Sequence, residues 1–192
     1  MDEVFLHVCC APCLATARET LRQEPDGAFP AVGRIFFYNP NIHPLLEFRR
    51  RVKALRVYLE RDPLSAEIDD GYGLREFLRH VADALSEEAD RRQRCRLCYA
   101  LRLNKTAEAA RAAGFGAIST TLLASREQDR DLVAEAGREA AERHGIAFVE
   151  GDLRKVPPPE KALRGIYKQQ YCGCVFSEEE RFAGTNKHLY RE

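Results

Sequence analysis

The stretch Val4-Phe-Leu-His-Val8 runs directly into Cys9-Cys10-Ala-Pro-Cys13, and this junction decides the fold. A short, mainly apolar run of this kind predicts a buried strand. Pro12 suits the first turn of a helix, because the N–H that proline lacks would have no helical partner there. The junction therefore predicts a strand, a cysteine-bearing turn and a helix that reaches about Arg22.

Strand and helix patterns continue to alternate beyond this junction. Apolar runs predict four more strands, and apolar residues spaced three and four apart predict four more helices. A turn-rich segment, Pro25-Asp26-Gly27, separates the first helix from the second strand. Such alternation predicts a doubly wound α/β fold around a mainly five-stranded parallel sheet. The further strands are expected at 34–38, 64–68, 117–122 and 146–149, and the further helices at 45–59, 74–88, 95–113 and 127–144.

The length of 192 residues suits one domain with a sizeable core, so we expect a single α/β domain over residues 1–192. Pro157-Pro-Pro159 marks the exit from the sheet. Residues from about 157 to 192 are then a C-terminal extension. This extension carries Cys172 and Cys174, and we expect it to complete a metal site.

Seven cysteines fall into three close clusters, which lets neighbouring sulfurs converge on one centre. Because the number of cysteines is odd, they cannot all form disulfides within the chain. The first residues also lack the apolar run that is typical of a secretory signal. We therefore expect the reducing cytoplasm, where clustered soft thiolates favour iron–sulfur or zinc binding. Thiol–disulfide chemistry and inert buried thiols are the alternatives. The clusters are Cys9-Cys10-Ala-Pro-Cys13, Cys95-Arg-Leu-Cys98 and Cys172-Gly-Cys174.

Composition excludes several other classes. Lys and Arg balance Asp and Glu at 30 each, so no overall field attracts nucleic acid. No run approaches the ~18 apolar residues of a membrane span. One local asymmetry stands out: Arg91 to Lys105 holds six basic residues and no acidic one, and encloses Cys95 and Cys98. This stretch predicts either a solvated helix face or a positive surround for an anionic cluster or a phosphate-bearing substrate.

The chemistry-bearing residues follow the strands of the predicted sheet. In open parallel sheets, sites form beyond the carboxyl ends of the strands. Cys95 and Cys98, at the predicted start of a crossover helix, should lie at the same edge, where helix N-termini favour thiolates. The residues after the five strands are Cys9 and Cys10; Asn39, Asn41 and His43; Asp69 and Asp70; Thr120, Thr121 and Ser125; and Asp152, Arg154 and Lys155.

Six motifs in a fixed order give the chain a resemblance to a known family. They are His7-Val-Cys-Cys-Ala-Pro-Cys13, Tyr38-Asn-Pro-Asn-Ile-His-Pro44, Cys95-Arg-Leu-Cys-Tyr-Ala-Leu-Arg-Leu103, Thr120-Thr-Leu-Leu-Ala-Ser125, Asp152-Leu-Arg-Lys155 and Tyr171-Cys-Gly-Cys-Val-Phe-Ser177. Together they resemble the QueH family of epoxyqueuosine reductases over nearly the whole chain. One departure is Leu153, where an aromatic residue is expected, and we interpret it as a packing change.

The resemblance implies a function and a cofactor. Members of the family reduce epoxyqueuosine, a modified base in the tRNA anticodon, to queuosine. They are associated with a [4Fe–4S] cluster, with a further iron or other metal ion nearby, and with a sheet related to nucleotide-binding α/β hydrolases. The implied partners are tRNA bearing epoxyqueuosine and an unidentified electron donor. Neither a membrane role nor an oligomeric state is indicated.

The clustered cysteines and the resemblance together give a candidate metal centre. Four cysteines would hold the cluster, and the others would hold an extra metal or act as a reactive thiol; which four is open. Cys10 is the candidate catalytic thiol. Cys13 is left out, because a small buried role within the first helix is at least as plausible. The six predicted ligands are Cys9, Cys10, Cys95, Cys98, Cys172 and Cys174.

The remaining candidates each carry an alternative structural role. Asp152 could ligate a metal or donate a proton, or could cap a turn. Arg102 could balance an anionic cluster, and His7 suits a hydrogen-bonded core position. Tyr171, like Tyr38 and Tyr99, could stack on a base or pack in the core. The candidate substrate-binding residues are Asn39, Asn41, His43, Arg102, Thr121, Arg154, Lys155 and Tyr171.

Three other functions compete with the reductase. Cys10-Ala-Pro-Cys13 at a strand–helix junction also suits a thiol oxidoreductase. Four of the cysteines could form a structural zinc module for RNA binding. An ATP-dependent tRNA-thiolating enzyme would need a glycine- and serine-rich phosphate loop after the first strand, where this chain has cysteines.

Overall fold

A computed structural model describes residues 3–23, 29–85, 90–158 and 160–184 of the chain. Within these residues, five strands form one parallel sheet in the order β3-β2-β1-β4-β5. The predicted doubly wound α/β fold is confirmed. The strands are β1 (Glu3–His7), β2 (Ala31–Phe37), β3 (Ala66–Ile68), β4 (Ala117–Thr120) and β5 (Ala147–Phe148).

All but the last of the described helices lie between strands and connect them. Short 3₁₀ turns add to them at Ala82–Ala84, Thr121–Ala124 and Glu160–Leu163. None of the described helices is both long and apolar enough to cross a membrane. The helices are α1 (Ala11–Gln23), α2 (Leu45–Arg61), α3 (Leu74–Val81), α4 (Arg91–Ala112), α5 (Arg130–Arg143) and α6 (Val175–Phe182).

The sheet separates two hydrophobic clusters, because successive side chains of a strand point to opposite faces. Phe5 and Phe36 join the cluster formed by residues of α4 and α5. Leu6 and Phe37 join the other cluster, which contains residues of α2. Helices on both faces explain why the central strands are apolar throughout.

The topological switch point of this sheet lies between β1 and β4. β1 pairs with β2 on one side and with β4 on the other, and the chain returns to β4 only after β2 and β3 have formed on the far side. Ligands bind at the carboxyl ends of the strands at such points. The residues that follow β1 and β4 are therefore the ones to inspect first.

Two boundaries differ from the prediction in ways that affect the site. α4 begins at Arg91 because Asp90 caps it, with Asp90 Oδ1 accepting from Gln93 N at 2.9 Å. β4 ends at Thr120, and the next four residues turn as a 3₁₀ helix. The turn Pro25-Asp26-Gly27, the last residues of the helix predicted at 74–88, and Pro159 lie outside the described residues.

The described part of the C-terminal extension packs onto the sheet domain. Leu163 and Ile166 are buried in the cluster that contains α2 residues. Tyr171 and Cys174 are also buried, immediately before α6. The extension therefore adds core contacts as well as cysteines.

Candidate metal centre

Cys9, Cys10 and Cys13 form a compact, buried set that we call the first cysteine group. Their sulfur atoms all lie within 4.8 Å of one another, and Cys9 Sγ is 3.8 Å from Cys10 Sγ. Sequence reasoning leaves Cys13 out of the metal centre, whereas the structure places its sulfur beside those of Cys9 and Cys10. α1 begins at Ala11, so Cys13 lies in its first turn, three residues from Cys10 and on the same side. The Cys13 N–H points at Cys10 Sγ at 3.4 Å.

The first cysteine group sits at the topological switch point and is tied to β4 across it. Cys9 N donates to Thr121 Oγ1 at 3.0 Å, and Thr121 Oγ1 donates to Cys9 Sγ at 3.4 Å. His7 and Thr120 pair one step earlier, with 2.8 Å between His7 Nδ1 and Thr120 Oγ1. His7 is fully buried and its Nε2 lies 3.2 Å from Tyr38 O, so the predicted core role is confirmed.

The three thiols of the group differ in acidity. Hydrogen bonds from Cys10 and Cys13 hold the pKa of the Cys9 thiol well below its ordinary value. Burial raises the pKa of Cys10, and hydrogen bonding to the Cys10 and Cys9 sulfurs raises that of Cys13 well above its ordinary value. Negative charge therefore concentrates at Cys9. Thiolates are the form that binds metals, so this buried group can hold a metal ion.

The other four cysteines, Cys95, Cys98, Cys172 and Cys174, form the second cysteine group. Cys98 and Cys174 are buried around Phe77, and Cys172 packs against the same cluster. Hydrogen bonding from Cys174 lowers the pKa of Cys172 to about 5, whereas burial raises the pKa of Cys98 to about 11. All seven cysteines lie in the described part of the chain, and all are free thiols.

The helix N-terminus predicted beside Cys95 and Cys98 is not there. α4 begins at Arg91, so Cys95 lies one turn and Cys98 two turns into the helix. The favourable dipole falls off within the first turn, so it does little for these two thiols. The positive charge near Cys98 comes instead from the buried Arg102, whereas Arg91 and Arg94 supply that near Cys95.

Arg102 supplies that charge between the two cysteine groups. It is 2% exposed, and its Nε donates to Cys98 O at 3.2 Å. Its Nη1 lies 3.5 Å from Asn39 Oδ1. Burial alone would lower the pKa of Arg102, but Cys98, Tyr99 and Cys9 raise it above the ordinary value. The guanidinium therefore stays charged beside both groups, and its role in balancing an anionic cluster stays a prediction.

Arg51 is a second buried cation, and it fastens the C-terminal extension. Its Nε donates to Glu47 Oε1 at 2.7 Å, and both side chains are at least 95% buried. Its Nη1 donates to Cys172 O at 2.9 Å and its Nη2 to Tyr171 O at 3.1 Å. Tyr167 Oη donates to Glu47 Oε2 at 2.6 Å. We call this set of contacts the Arg51 clamp.

Gly173 is required where the clamp meets the Cys172-Gly-Cys174 turn. Its φ of +109° lies in the region that favours glycine. A Cβ there would also stand 2.9 Å from Arg51 Nη1 and 3.0 Å from Ile42 Cγ1. His43 N donates to Gly173 O at 2.7 Å. The close approach thus fixes the turn against the loop after β2.

Gln169 contacts the candidate site, although no motif or pattern in the sequence predicts that it does. Its Nε2 donates to Cys10 Sγ at 2.8 Å, while its Oε1 is buried without a hydrogen-bond partner. The residue belongs to no motif and stands three positions before Cys172. Its contact with Cys10 links the extension directly to the first cysteine group.

The loop after β2 contains both engaged and unengaged polar atoms. Asn39 Nδ2 donates to Val8 O at 2.9 Å, which fixes the loop against the end of β1. Asn41 Oδ1 and His43 Nε2 are buried and have no hydrogen-bond partner among the described residues. Burial holds the pKa of His43 near 4, so its ring is neutral at pH 7. Like Gln169 Oε1, these two atoms are unsatisfied groups that a ligand could bind.

Tyr171 is a packed, buried residue and does not present its ring on an open surface. The ring is 3% exposed, and its Oη donates to His43 O at 2.6 Å. The Arg51 guanidinium lies 5.5 Å from the ring centroid. The role of Tyr171 in stacking on a base stays a prediction.

The Asp152 motif shapes a turn beside β5. Asp152 Oδ1 accepts from Arg154 N at 3.2 Å. The Arg154 guanidinium donates to Leu123 O at 2.8 Å, which braces the turn after β4, and Lys155 is exposed. Leu153 is 1% exposed and packs in the cluster of the first cysteine group, as a packing change would require. The catalytic role of Asp152 stays a prediction.

Acidic partners neutralise most of the basic stretch from Arg91 to Lys105. Each of five basic residues in it faces a carboxylate, so it does not form an open phosphate-binding surface. The pairs are Arg91 with Glu180, Arg94 with Glu180, Arg92 with Asp129, Arg96 with Glu135 and Glu139, and Lys105 with Glu108.

A doubly wound α/β sheet with buried thiols at its switch point defines a class of cysteine-rich, metal-binding α/β proteins. Comparison with known proteins specifies the family. The family model described as epoxyqueuosine reductase QueH matches residues 4–180, and this chain belongs to that family. The predicted resemblance is therefore confirmed.

Curated relatives extend along most of the chain. An epoxyqueuosine reductase QueH of Thermotoga maritima is 35% identical over 189 residues, covering 94% of this chain and 93% of the relative. One from Dehalococcoides mccartyi is 30% identical, covering 96% and 97%. One from Staphylococcus epidermidis is 30% identical, covering 91% of this chain and 76% of the relative.

Proposed function

We propose that this chain is an oxidoreductase that reduces epoxyqueuosine to queuosine in the anticodon loop of tRNA. The reaction adds two electrons and two protons to the epoxide. Both C–O bonds break, a C=C bond forms and the oxygen leaves as water. Family membership together with the buried sulfurs at the switch point supports this proposal. The electrons come from an external donor, and we place the reaction in the cytoplasm, where tRNA is modified.

The cofactor we propose is a [4Fe–4S] cluster with an additional iron or other metal ion. The donor set fits, because seven free thiols lie in two neighbouring groups, and three of them lie within 4.8 Å. The six ligands predicted from sequence are joined by Cys13. When bound, such a centre supplies electrons one at a time and can polarise an epoxide oxygen.

The surrounding residues prepare the thiols for this role. Thr121 orients Cys9 through hydrogen bonds to its N–H and its sulfur. Gln169 donates to Cys10, the candidate catalytic thiol. Arg102 provides a buried positive charge beside Cys9 and Cys98. These contacts stabilise thiolates that would otherwise be costly to bury.

For the substrate, we propose that Asn41 Oδ1 and His43 Nε2 bind the modified base or its diol. Both atoms are buried and unsatisfied, which costs free energy unless a ligand pairs with them. Asn39 and Arg102 would position this loop. Asn39, a loop residue, donates to Val8 O after β1, and Arg102 of α4 contacts Asn39 Oδ1. Asp152 is the proposed proton donor, and Lys155 with Arg154 the proposed phosphate contacts.

Turnover tests the proposal directly. The protein is reconstituted anaerobically with iron and sulfide, incubated with a low-potential reductant and epoxyqueuosine-bearing tRNA, and the nucleosides are quantified by mass spectrometry. We expect queuosine from the wild type and none above background from C10S. Absence of queuosine with a fully reconstituted wild type would contradict the proposal.

A thiol oxidoreductase is the second candidate, because the Cys13 N–H points at Cys10 Sγ within a CxxC motif. Burial raises the pKa of Cys10, which disfavours the nucleophilic thiolate that such an enzyme needs. We therefore expect metal-free protein to reduce a model disulfide no faster than a C13S variant. Faster disulfide reduction by the wild type would favour the second candidate.

A further inference from the structure

A cleft opens at the carboxyl edge of the sheet, beside the loop after β2. We call it the rim cleft and define it by Tyr38, Asp69, Tyr72, Arg75, Glu76 and Arg79, so that two carboxylates and two guanidinium groups line it. Its volume is about 560 Å³, within the range of small-molecule pockets. Tyr38 directly follows β2, so the cleft lies at the same edge of the sheet as the cysteines that follow β1. Two of its residues, Tyr38 and Pro40, belong to the second sequence motif, whereas Tyr72, Arg75, Glu76 and Arg79 belong to none of the six.

Tyr38 and Tyr72 connect the rim cleft to the surroundings of the candidate metal centre. Tyr38 packs in the same hydrophobic cluster as Cys9, Cys10 and Cys13. On the other side, Tyr72 Oη lies 3.1 Å from His43 Nδ1, and the two rings meet edge to face. His43 Nε2 is one of the unsatisfied atoms of the proposed base site. A ligand in the cleft would therefore lie next to that site.

The charges at the mouth of the cleft are available to a ligand. Arg75 and Arg79 stand one helical turn apart on α3, both exposed, and neither has an acidic partner among the described residues. In contrast, Arg92 and Arg96 of the basic stretch are paired with carboxylates. The two unpaired arginines therefore form the more available phosphate-binding surface near the site.

The interior of the cleft combines aromatic surface with a fixed acceptor. Tyr38 Oη donates to Glu76 Oε1 at 2.6 Å, which holds the carboxylate in place. Tyr72 contributes a partly exposed ring. Single-stranded RNA bases are bound by aromatic stacking and edge hydrogen bonds, with phosphate contacts from arginine. A carboxylate accepts from the amino group of a base.

We propose that the rim cleft binds a nucleotide of the anticodon loop that neighbours the modified base. Tyr72 stacks on its base, Arg75 and Arg79 contact its phosphates, and Glu76 accepts from its amino edge. This inference rests on the proposed function for the identity of the RNA. The same chemistry would suit a free nucleotide, so the test must separate the two sources.

The test measures binding of an unmodified anticodon stem-loop RNA to the full, reconstituted chain by fluorescence anisotropy. We expect R79E to weaken binding at least tenfold at low salt and to reduce the salt slope by about one. R111E is the matched control, because Arg111 is also an exposed helix arginine with no acidic partner in the part of the chain that the structure describes. It lies in the last turn of α4, at the end of that helix far from Cys95 and Cys98. R111E should remain within twofold of the wild type. Equal losses for both variants, or none for R79E, would overturn the proposal.

Stacking is tested with an RNA that lacks one base. An abasic site next to the modified position should weaken binding to the wild type, and Y72A should weaken binding to the intact RNA. Combined, the two changes should cost no more than either alone, since each removes the same contact. Additive losses would overturn the assignment of Tyr72. In a competition assay, free AMP or GMP could instead displace the labelled RNA as strongly as unlabelled stem-loop does, with R79E abolishing that competition. This result would assign the cleft to free nucleotides and overturn the proposal.

Failure of this inference and failure of the proposed function give different results. Binding is measured on unmodified RNA and needs no reduction of the epoxide. Queuosine formation with no effect of R79E on RNA binding would retain the function and reject the cleft. Arg79-dependent RNA binding by a wild type that forms no queuosine would retain the cleft and reject the function.

Discussion

The two cysteine groups are built in different ways. The first is assembled from near neighbours at one strand–helix junction, and Thr121 ties it to the adjacent strand. The second joins Cys98 of α4 to Cys172 and Cys174 of the C-terminal extension, and Cys95, one turn earlier on α4, lies close enough to Cys172 to interact with it electrostatically. Its geometry therefore depends on how that extension docks. The central sheet fixes the first group, whereas a few buried polar contacts fix the second.

This difference explains the buried charge of Arg51. An ion pair taken out of water must recover its desolvation cost through good geometry and further hydrogen bonds. Arg51 meets that condition with Glu47 and two carbonyls of the extension. A buried clamp is a costly way to gain stability but an effective way to specify one docked position. The first group needs no such device, because strand register already specifies it.

The largest expected effect is loss of the first group. In C13S and C10S, we expect iron content after reconstitution to fall to a small fraction of the wild-type value and activity to fall by at least roughly a hundredfold, since ligand loss exceeds the 10–100-fold cost of outer contacts. Iron and sulfide assays and turnover check this. C174S should retain more iron than either. Full iron content in C13S would place Cys13 outside the site.

The next effect concerns the Arg51 clamp. R51L leaves Glu47 buried without its cation, so we expect the free energy of unfolding to fall by about 3–5 kcal/mol. Urea unfolding of the metal-free protein measures it. The double variant E47L/R51L removes both charges and should be clearly more stable than R51L. If R51L proved as stable as E47L/R51L, the Arg51–Glu47 pair would not be buried away from water as described.

A smaller effect is expected at Arg102, the cation beside both groups. In R102L, we expect the reduction potential of the reconstituted centre to become more negative, because a reduced and more anionic state loses a nearby positive charge. A potentiometric titration followed by EPR measures the shift. R102K keeps the charge and should lie close to the wild type. An unchanged potential in R102L would place this charge too far from the centre to matter.

The smallest effect is expected at Gln169, which contributes one hydrogen bond to Cys10. Q169L should shift the same potential in the negative direction by less than R102L does, since a single hydrogen bond contributes about 0.5–1.5 kcal/mol. Iron content should stay near the wild-type value. Loss of iron in Q169L would instead make this residue part of the binding site.

Sequence alone predicts the fold and much of the site, for a definite reason. Strand and helix periodicity are local, and the edge of a parallel sheet follows from them, so Cys9 and Thr121 are found together as expected. Cys13 is expected to fill a small buried role, and it is buried, but its place in the first turn of α1 also brings it beside Cys10. The prediction that Cys95 and Cys98 lie at a helix N-terminus fails for a similar reason, because α4 begins at Arg91, about one turn before Cys95.

The residues that sequence reasoning missed make long-range contacts. Gln169 meets Cys10, and Arg51 meets Cys172, through docking of the extension, which no local pattern encodes. Arg51 lies in a run of three arginines, yet it pairs with the buried Glu47 rather than facing solvent. The basic stretch around Cys95 was likewise neutralised by acids from α5 and α6. Partner choice, rather than residue type, decides these roles.

The most direct test of the central claim follows metal centre and product in one sample. The protein is reconstituted anaerobically, reduced, freed of excess reductant and mixed with epoxyqueuosine-bearing tRNA. We predict that queuosine forms while the iron–sulfur spectrum returns to its oxidised form, and that zinc-loaded protein forms none. Queuosine formation by the zinc-loaded protein, or a reduced spectrum that the RNA leaves unchanged, would contradict the account.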